Sequence, residues 1–447
     1  MNRLAVKKLS LVLMVLVLLS ISSSVYFANE HQIKVFFDGA RLETEAEPFI
    51  ENGRTLVPFR AIFEAFGAQV GWDGSTGTVT GITDEYELRL IIEKSDAVVN
   101  GLRVKLDVPA KIRNNRTYVP LRFVAQSMGA DVEWINSSRT IKIDSSGNSD
   151  IRLVKGLGKV EFADSELGKH ILTLNDDYVT SLSEFDRSSK LQTDKSIDTD
   201  EFKKHFSEQV MVFSDDEKKM INGIIEEIRP LFAQYNMSFP EEVILIKTTG
   251  REEANAAYTR SNSIILPEAL LSMGDKHVRD IIIHEFFHVF SRYNSEKREE
   301  LYGVIGFEKG PYFEYPPEIT DLRISNPDAV ANRYFIEVEH EGRTVKAVPV
   351  LYASEKFSTS KSTNFFDYLS MKLAVVEISN GRCIPVYNDG KPLFIDAKEA
   401  FYEKVGRNSS YIIQPEELLA DNFVMMIDKK AVPSPFVING MSKVLKE

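Results

Sequence analysis

The chain has 447 residues, enough for two or three domains with buried cores, and its 43% hydrophobic, 10% aromatic and 27% charged residues exclude a disordered tail or a multi-span membrane protein. Its 54 basic and 66 acidic residues give a net charge of −12, which leaves no excess of cations to displace counterions and disfavours nucleic acid as a partner. The single cysteine, Cys383, rules out an intrachain disulfide and any zinc site built on two or more cysteines, so a metal here has to be held by histidine and carboxylate.

Residues 1–28 run from basic Arg3, Lys7 and Lys8 through the apolar stretch Leu9 to Leu19 to Ser22, Ser23 and Ser24, the order of a secretory signal. The protein is therefore expected to be secreted or extracellular, in some settings attached to the cell surface. The alternative is an uncleaved membrane anchor, since Leu9 to Ala28 reaches the ~20 residues that span a bilayer.

Past the signal, the chain repeats itself at an offset of 62 residues. Asp38-Gly39 falls on Asn100-Gly101, Arg54-Thr55 on Arg116-Thr117, Val57-Pro58 on Val119-Pro120, Gly67-Ala68 on Gly129-Ala130, and Trp72 on Trp134. Each copy predicts a hairpin on an Asp-Gly or Asn-Gly turn, a short strand, an amphipathic helix (Phe59 to Phe66, Leu121 to Met128) and a closing strand pair. This pattern, over about residues 31–145, resembles the stalk domain found at the N-terminus of copper amine oxidases. Copper chemistry lies in another domain of those enzymes and does not come with the resemblance. The repeated arginines and tryptophans read as packing and turn-fixing residues, and a role in holding a cell-wall or surface polymer is left open.

The polar sequence from Asp144 predicts a linker over about 146–200, with a short strand-like segment at His170 to Leu174 and some order against the next domain. That domain is expected over 201–440. It opens with the capping box Ser214 to Glu217 and a helix carrying Met220, Ile221, Ile224, Ile225, Ile228 and Leu231. A buried strand at Val243 to Ile246 and an edge pair at Ala256 to Thr259 and Ser263 to Leu266 follow.

A second helix, from about Asp275 to Arg292, carries His284-Glu285-Phe286-Phe287-His288. At ~100° per residue the two histidines lie one turn apart on one face and can meet one Zn²⁺ at ~2.0–2.1 Å, with Glu285 beside them as base rather than ligand. With 7 histidines in the chain, chance would produce this pattern about once in a hundred such sequences. Ile281, Ile282, Ile283, Val289 and Phe290 make the helix apolar nearly all round, and two histidines and a glutamate in such surroundings are costly unless something satisfies them.

A catalytic zinc needs a third protein ligand. His340, Glu308 and the downstream pair Glu417 and Asp421 are the candidates. Pro415 to Phe423 predicts a helix with proline and acidic residues in its first turn, which places Glu417 and Asp421 at i and i+4 on one face. Strands at Tyr334 to Val338, Thr344 to Leu351, Ala374 to Ile378 and Cys383 to Tyr387 predict a β-rich insertion, about 320–395, between the two helices.

His284, Glu285, His288, Glu417 and Asp421 together resemble the H-E-x-x-H and E-x-x-x-D motifs of the gluzincin metallopeptidases, the class that includes thermolysin. The gap between the motifs is far longer here, and Glu416 replaces an asparagine. The resemblance implies an α+β architecture in which a zincin-like domain with a β-rich insertion follows the tandem ββαββ-type stalk. It implies Zn²⁺ on His284, His288 and Glu417, and Asp421 behind a ligand histidine. Glu285 would be the general base for hydrolysis of protein or peptide substrates that pair with an edge strand near Ala257 to Leu266. An oxyanion donor is also needed; Tyr411 stands nearest in sequence, then Tyr402 and Tyr258, each of which reads equally as a core tyrosine. The rival reading is a zincin-like surface- or wall-binding protein that has lost turnover, although Glu285 would then have no evident use.

Overall fold

A computed structural model describes residues 32–145, 151–330, 332–410 and 414–447. The signal-like N-terminus and Tyr411 lie outside them. The architecture is mixed α+β, and the described residues divide into two compact units, those of 32–97 with 105–145 and those of 98–104 with 151–447. No helix among the described residues is long and apolar enough to cross a membrane.

The first unit is β-rich and displays the repeat. Strand Arg54–Pro58 leads directly into helix Phe59–Ala65, and Arg116–Pro120 into Leu121–Ser127. Each helix is followed by a strand pair, Gln69–Asp73 with Thr78–Ile82 and Asp131–Ile135 with Thr140–Asp144. The two copies meet where Arg54–Pro58 and Arg116–Pro120 pair antiparallel, with Val57 opposite Val119, the same position in each copy. Ion pairs are exchanged in the same way: Arg54 binds Asp107 of the second copy, and Arg116 binds Glu45 of the first. Strand Lys34–Phe37 also crosses over, pairing in parallel with Thr140–Ile143. The tandem is thus one folded body in which each copy completes the other. Trp72 departs from its expected packing role: it stands beside the turn after Asp73 and is 46% exposed.

In the second unit a sheet is built from β1 (Lys159–Phe162), β2 (Glu242–Thr248), β3 (Tyr258–Arg260) and β4 (Ser263–Pro267), in the order β1-β2-β4-β3. β1, β2 and β4 run parallel, and β3 closes the edge antiparallel to β4. Within the described residues the linker expected over 146–200 is corrected here, because β1 is part of this sheet, helices Ser165–Leu172, Asp177–Ser181 and Thr199–Glu208 pack upon it, and helix Glu184–Lys190 packs through Phe185 against Ile324, Leu351 and Phe357. His170 and Leu172, expected in a strand, lie in the first of these helices. Much of the polar composition that suggests a linker is capping: the side chains of Asp164, Asp176, Ser183 and Asp198 each accept a backbone N–H at a helix start. Between the caps, Leu172, Tyr178, Phe202 and Phe206 form a core with Ile246, Tyr258 and Ile265.

Helix α1 (Asp215–Phe232) begins at the reciprocal Ser214–Glu217 capping box. Helix α2 (Asp275–Tyr293) is the centre of the unit, with Ile282, Ile283, Phe286, Phe287, Val289 and Phe290 all fully buried. Phe286 lies edge-on to Phe232 and Phe239, each with ring centroids 6.0 Å away. Burying each such phenylalanine contributes ~2–3 kcal/mol, which offsets the cost of holding polar groups in the same helix. Helix α3 (Ser295–Val304) follows. Antiparallel strands β5 (Tyr334–His340), β6 (Arg343–Ala353), β7 (Leu369–Ser379) and β8 (Arg382–Pro385) then form a sheet that stands between α2 and the later helices in sequence. Its hairpin turns at Glu341-Gly342 and Asn380-Gly381 both take positive φ at both residues, the geometry of two-residue loops. Helices α4 (Pro415–Ile427) and α5 (Pro435–Lys446) end the chain, and Phe423 of α4 packs against Phe287 of α2 with ring centroids 5.5 Å apart.

Candidate metal centre

The packing of α4 on α2 brings together residues that lie about 130 positions apart. His284 and His288 stand one turn apart on α2, with ring centroids 4.7 Å apart. From α4, the Glu417 carboxylate reaches between them. Its Oε2 lies 3.2 Å from His284 Nε2 and 3.6 Å from His288 Nε2. Metal bonds of ~2.0–2.1 Å at a tetrahedral angle would separate their donor atoms by ~3.3 Å, so these distances could accommodate a shared ion.

The far side of each imidazole is held by a carboxylate. His284 Nδ1 lies 3.2 Å from Asp421 Oδ1, and Ser409 donates to the other oxygen of that residue. His288 Nδ1 lies 3.0 Å from Glu416 Oε1. Glu416 Oε2 also accepts the Ser291 hydroxyl at 2.7 Å and the Tyr302 hydroxyl at 2.5 Å, in a site where the glutamate is 2% exposed. With Nδ1–H donated outward on both rings, each Nε2 presents a lone pair to Glu417. Asn326 fixes Glu417 from the other side, donating to Oε1 at 2.6 Å.

His288 Nε2 is buried without a hydrogen-bond partner. A nitrogen lone pair left bare at the focus of a carboxylate and a second imidazole fits a divalent cation, and this orphaned atom is the internal evidence that the donor set suits zinc.

The electrostatics point the same way. Burial works against a charged His284, yet the Asp421 and Glu417 carboxylates outweigh it and the ring is pushed up to about 9. His288 is raised well above the ordinary histidine value, with burial again opposed and the Asp328, Glu417 and Glu416 carboxylates prevailing. Glu417 is lowered despite its burial because both imidazoles favour its charged form. Glu285 is pushed up to about 8, first by burial and then by the neighbouring Asp328 carboxylate. The cluster therefore demands positive charge at its centre.

The other residues named from sequence lie elsewhere. Glu308, exposed in strand Phe307–Lys309, is not brought to the histidines, and neither is His340 at the end of β5. Tyr258 is buried and lines the cleft beside Glu285, whereas Tyr402 sits in helix Glu399–Val405 under the Arg407 guanidinium. The cleft encloses about 800 Å³ and is bordered by Ala257, Tyr258, His284, Glu285 and Glu417. Edge strand β3 runs along it, but its Thr259 N–H donates to Asp328 Oδ1 at 2.8 Å instead of standing free. Sequence reasoning missed Glu416, Asn326 and Asp328. Glu416 was legible in principle, because adjacent helical residues point ~100° apart and can serve two different histidines; the two loop residues carry no pattern.

Residues 36–143 match the family model of the copper amine oxidase N-terminal domain, and this segment is such a domain. None of the curated proteins compared with the chain matches it.

Proposed function

We propose that the chain is an exported zinc-dependent peptidase in which His284, His288 and Glu417 hold the ion and Glu285 is the general base. The arrangement of α2, α4 and edge strand β3 supports a zincin-like reading of the second unit, with the β5–β8 sheet as one wall of its cleft. The observation that carries the proposal is the convergence of both Nε2 atoms on Glu417 Oε2, with His288 Nε2 buried and unpartnered.

Bound zinc would supply a Lewis acid that polarises a carbonyl and makes water acidic. Asp421 and Glu416 fix the tautomer and direction of the two imidazoles, and Asn326 holds the Glu417 carboxylate through its other oxygen. Glu285, 4% exposed, has no partner on Oε2. That oxygen takes the proton of the attacking water and returns it to the leaving amine nitrogen. The apolar helix around it keeps bulk water from competing for the proton. The N-terminal domain and the signal-like leader support an extracellular or surface setting, in which the first unit presents the peptidase to a wall or surface polymer.

The test compares the purified chain with Glu285→Gln. The expected result is one zinc per chain in both, and peptide hydrolysis in the first alone, reduced at least ~10²-fold by the substitution. Zinc bound by both with no Glu285-dependent cleavage of any peptide would make the second unit a binding module. Absence of stoichiometric metal in the unsubstituted chain would remove the metal centre itself.

A further inference from the structure

One carboxylate in the cleft is unused by this mechanism. Asp328 lies on a segment that is tied down along its length: Asn326 donates to Gln414 as well as to Glu417, Arg292 donates to the Pro327 carbonyl at 3.0 Å, and Gln414 donates to the Ala329 carbonyl at 3.2 Å. The segment therefore has a fixed place over the edge of β3. Asp328 Oδ1 accepts both the N–H and the hydroxyl of Thr259, and its second oxygen has no donor among the described residues. A carboxylate oxygen of Asp328 lies within 4.8 Å of donor atoms of both Glu285 and His288.

Three features make a cation the fitting occupant there. Glu285 Oε2 is buried without a partner in the same place. A buried carboxylate and a half-buried one this close oppose each other's charge. The nearest guanidinium relieves Asp328 only from a distance: Arg292 donates to the Thr259 hydroxyl and to the Ser261 and Pro327 carbonyls, and it forms no ion pair with Asp328 among the described residues.

Resting on the peptidase reading, we propose that Asp328 receives the cationic nitrogen of the substrate, and that this nitrogen is the α-ammonium of the residue bearing the scissile carbonyl. The reach favours that source. When a carbonyl carbon faces Glu285, the α-nitrogen of the same residue is only ~2.5 Å from it, whereas a lysine or arginine side chain would have to fold back to meet Asp328. The edge strand agrees. Alternation leaves Thr259 as the residue of β3 whose N–H faces away from β4, and Asp328 already takes that donor. An extended substrate cannot pair with β3 at this point, and under the proposal its N-terminus ends there. The specificity is that of an enzyme removing N-terminal residues.

The test uses the full zinc-loaded chain and three peptides: one with a free N-terminus, the same sequence N-acetylated, and an N-acetylated variant carrying an internal lysine before the scissile bond. Turnover is followed in the unsubstituted chain and in Asp328→Asn, which keeps an oxygen for Thr259. Binding is followed by calorimetry in Glu285→Gln, which needs neither turnover nor an Asp328 variant. The expected result is a preference for the free amine of ~10- to 100-fold in both kcat/KM and affinity, most of it lost in Asp328→Asn through KM. Glu285-dependent cleavage of all three peptides at equal rates would overturn the Asp328 assignment and leave the peptidase standing. Preference for the acetylated lysine peptide would move the cation to the side chain and overturn the α-ammonium. Two zinc ions per chain, falling to one in Asp328→Asn, would make Asp328 a metal ligand and overturn the ammonium assignment. Neither cleavage nor binding of any peptide would overturn the peptidase reading together with this one.

Discussion

Replacing Glu416 by glutamine isolates the group that holds His288. The carboxylate accepts three bonds, from His288 Nδ1 at 3.0 Å, Ser291 at 2.7 Å and Tyr302 at 2.5 Å, all in a dry site. Each bond to a charged acceptor contributes ~1.5–3 kcal/mol, and a buried donor left without a partner costs ~1–3 kcal/mol. Glutamine keeps the shape and one acceptor oxygen, but its amide nitrogen meets donors where the carboxylate met them with an oxygen. One bond weakens from charged to neutral and at least one more is lost, which places the destabilisation of the metal-free chain at ~2–4 kcal/mol. Freed from its partner, the His288 ring also loses orientation and basicity, so zinc affinity should fall ~10- to 100-fold. Asp421→Asn acts on the other histidine, but Asp421 is 31% exposed and water replaces its contact, so its effect should be the smaller. Denaturant titration of the metal-free chain and competition for zinc against a chelator read the two quantities separately. A Glu416→Gln chain with zinc affinity within twofold of the unsubstituted one would show that Glu416 is only an N-terminal charge on α4 and that the network around His288 is incidental.

Glu252, fully buried, has no hydrogen bond to either carboxylate oxygen, and burial, offset only in part by the nearby Thr248 hydroxyl, pushes it up to about 7 from 4.5. A carboxyl whose folded value lies above its unfolded value contributes stability that is complete below the unfolded value and is lost as pH rises through the folded one. Glu252→Gln should therefore match the unsubstituted chain near pH 4.5 and exceed it by ~3 kcal/mol above pH 8, a Tm difference of roughly 5 °C. Parallel melting curves at pH 5 and pH 8 would refute this. In the first unit, a Cβ at Gly81 would overlap the ring of fully buried Phe63, so Gly81→Ala should destabilise that unit by ~1–3 kcal/mol in thermal melts, and an unchanged melt would show that the ring has room to move.

What was legible in the sequence follows from how far each signal reaches along the chain. The repeat, the capping box at Ser214 and the α2 motif are local: residues within a few positions of one another are enough to specify a turn, a cap or two imidazoles on one face. Glu417 and Asp421 were legible for the same reason, since a proline and two acids at a helix start, followed by an acid at i+4, are a local pattern. Their meeting with His284 depends instead on a core of phenylalanines assembled from α1 (Phe232), strand Ser238–Pro240 (Phe239), α2 and α4, which no window of sequence contains.

Segments 165–208 and 324–330 fail for opposite reasons. In the first, short helices use aspartate and serine as caps, and composition alone reads those caps as loop. In the second, no regular structure exists to leave a period, and Asn326 and Asp328 acquire their positions only from partners on three different elements: α2 through Arg292, β3 through Thr259 and α4 through Glu417. If specificity resides in that segment, as the placement of Asp328 implies, then the part of the site that selects the substrate is the part a sequence reading is least able to see. The proposed ligand set is placed by helical geometry, two histidines a turn apart on α2 and a glutamate on α4. The selecting carboxylate has only to arrive within a few ångströms of the base, by whatever loop the insertion supplies.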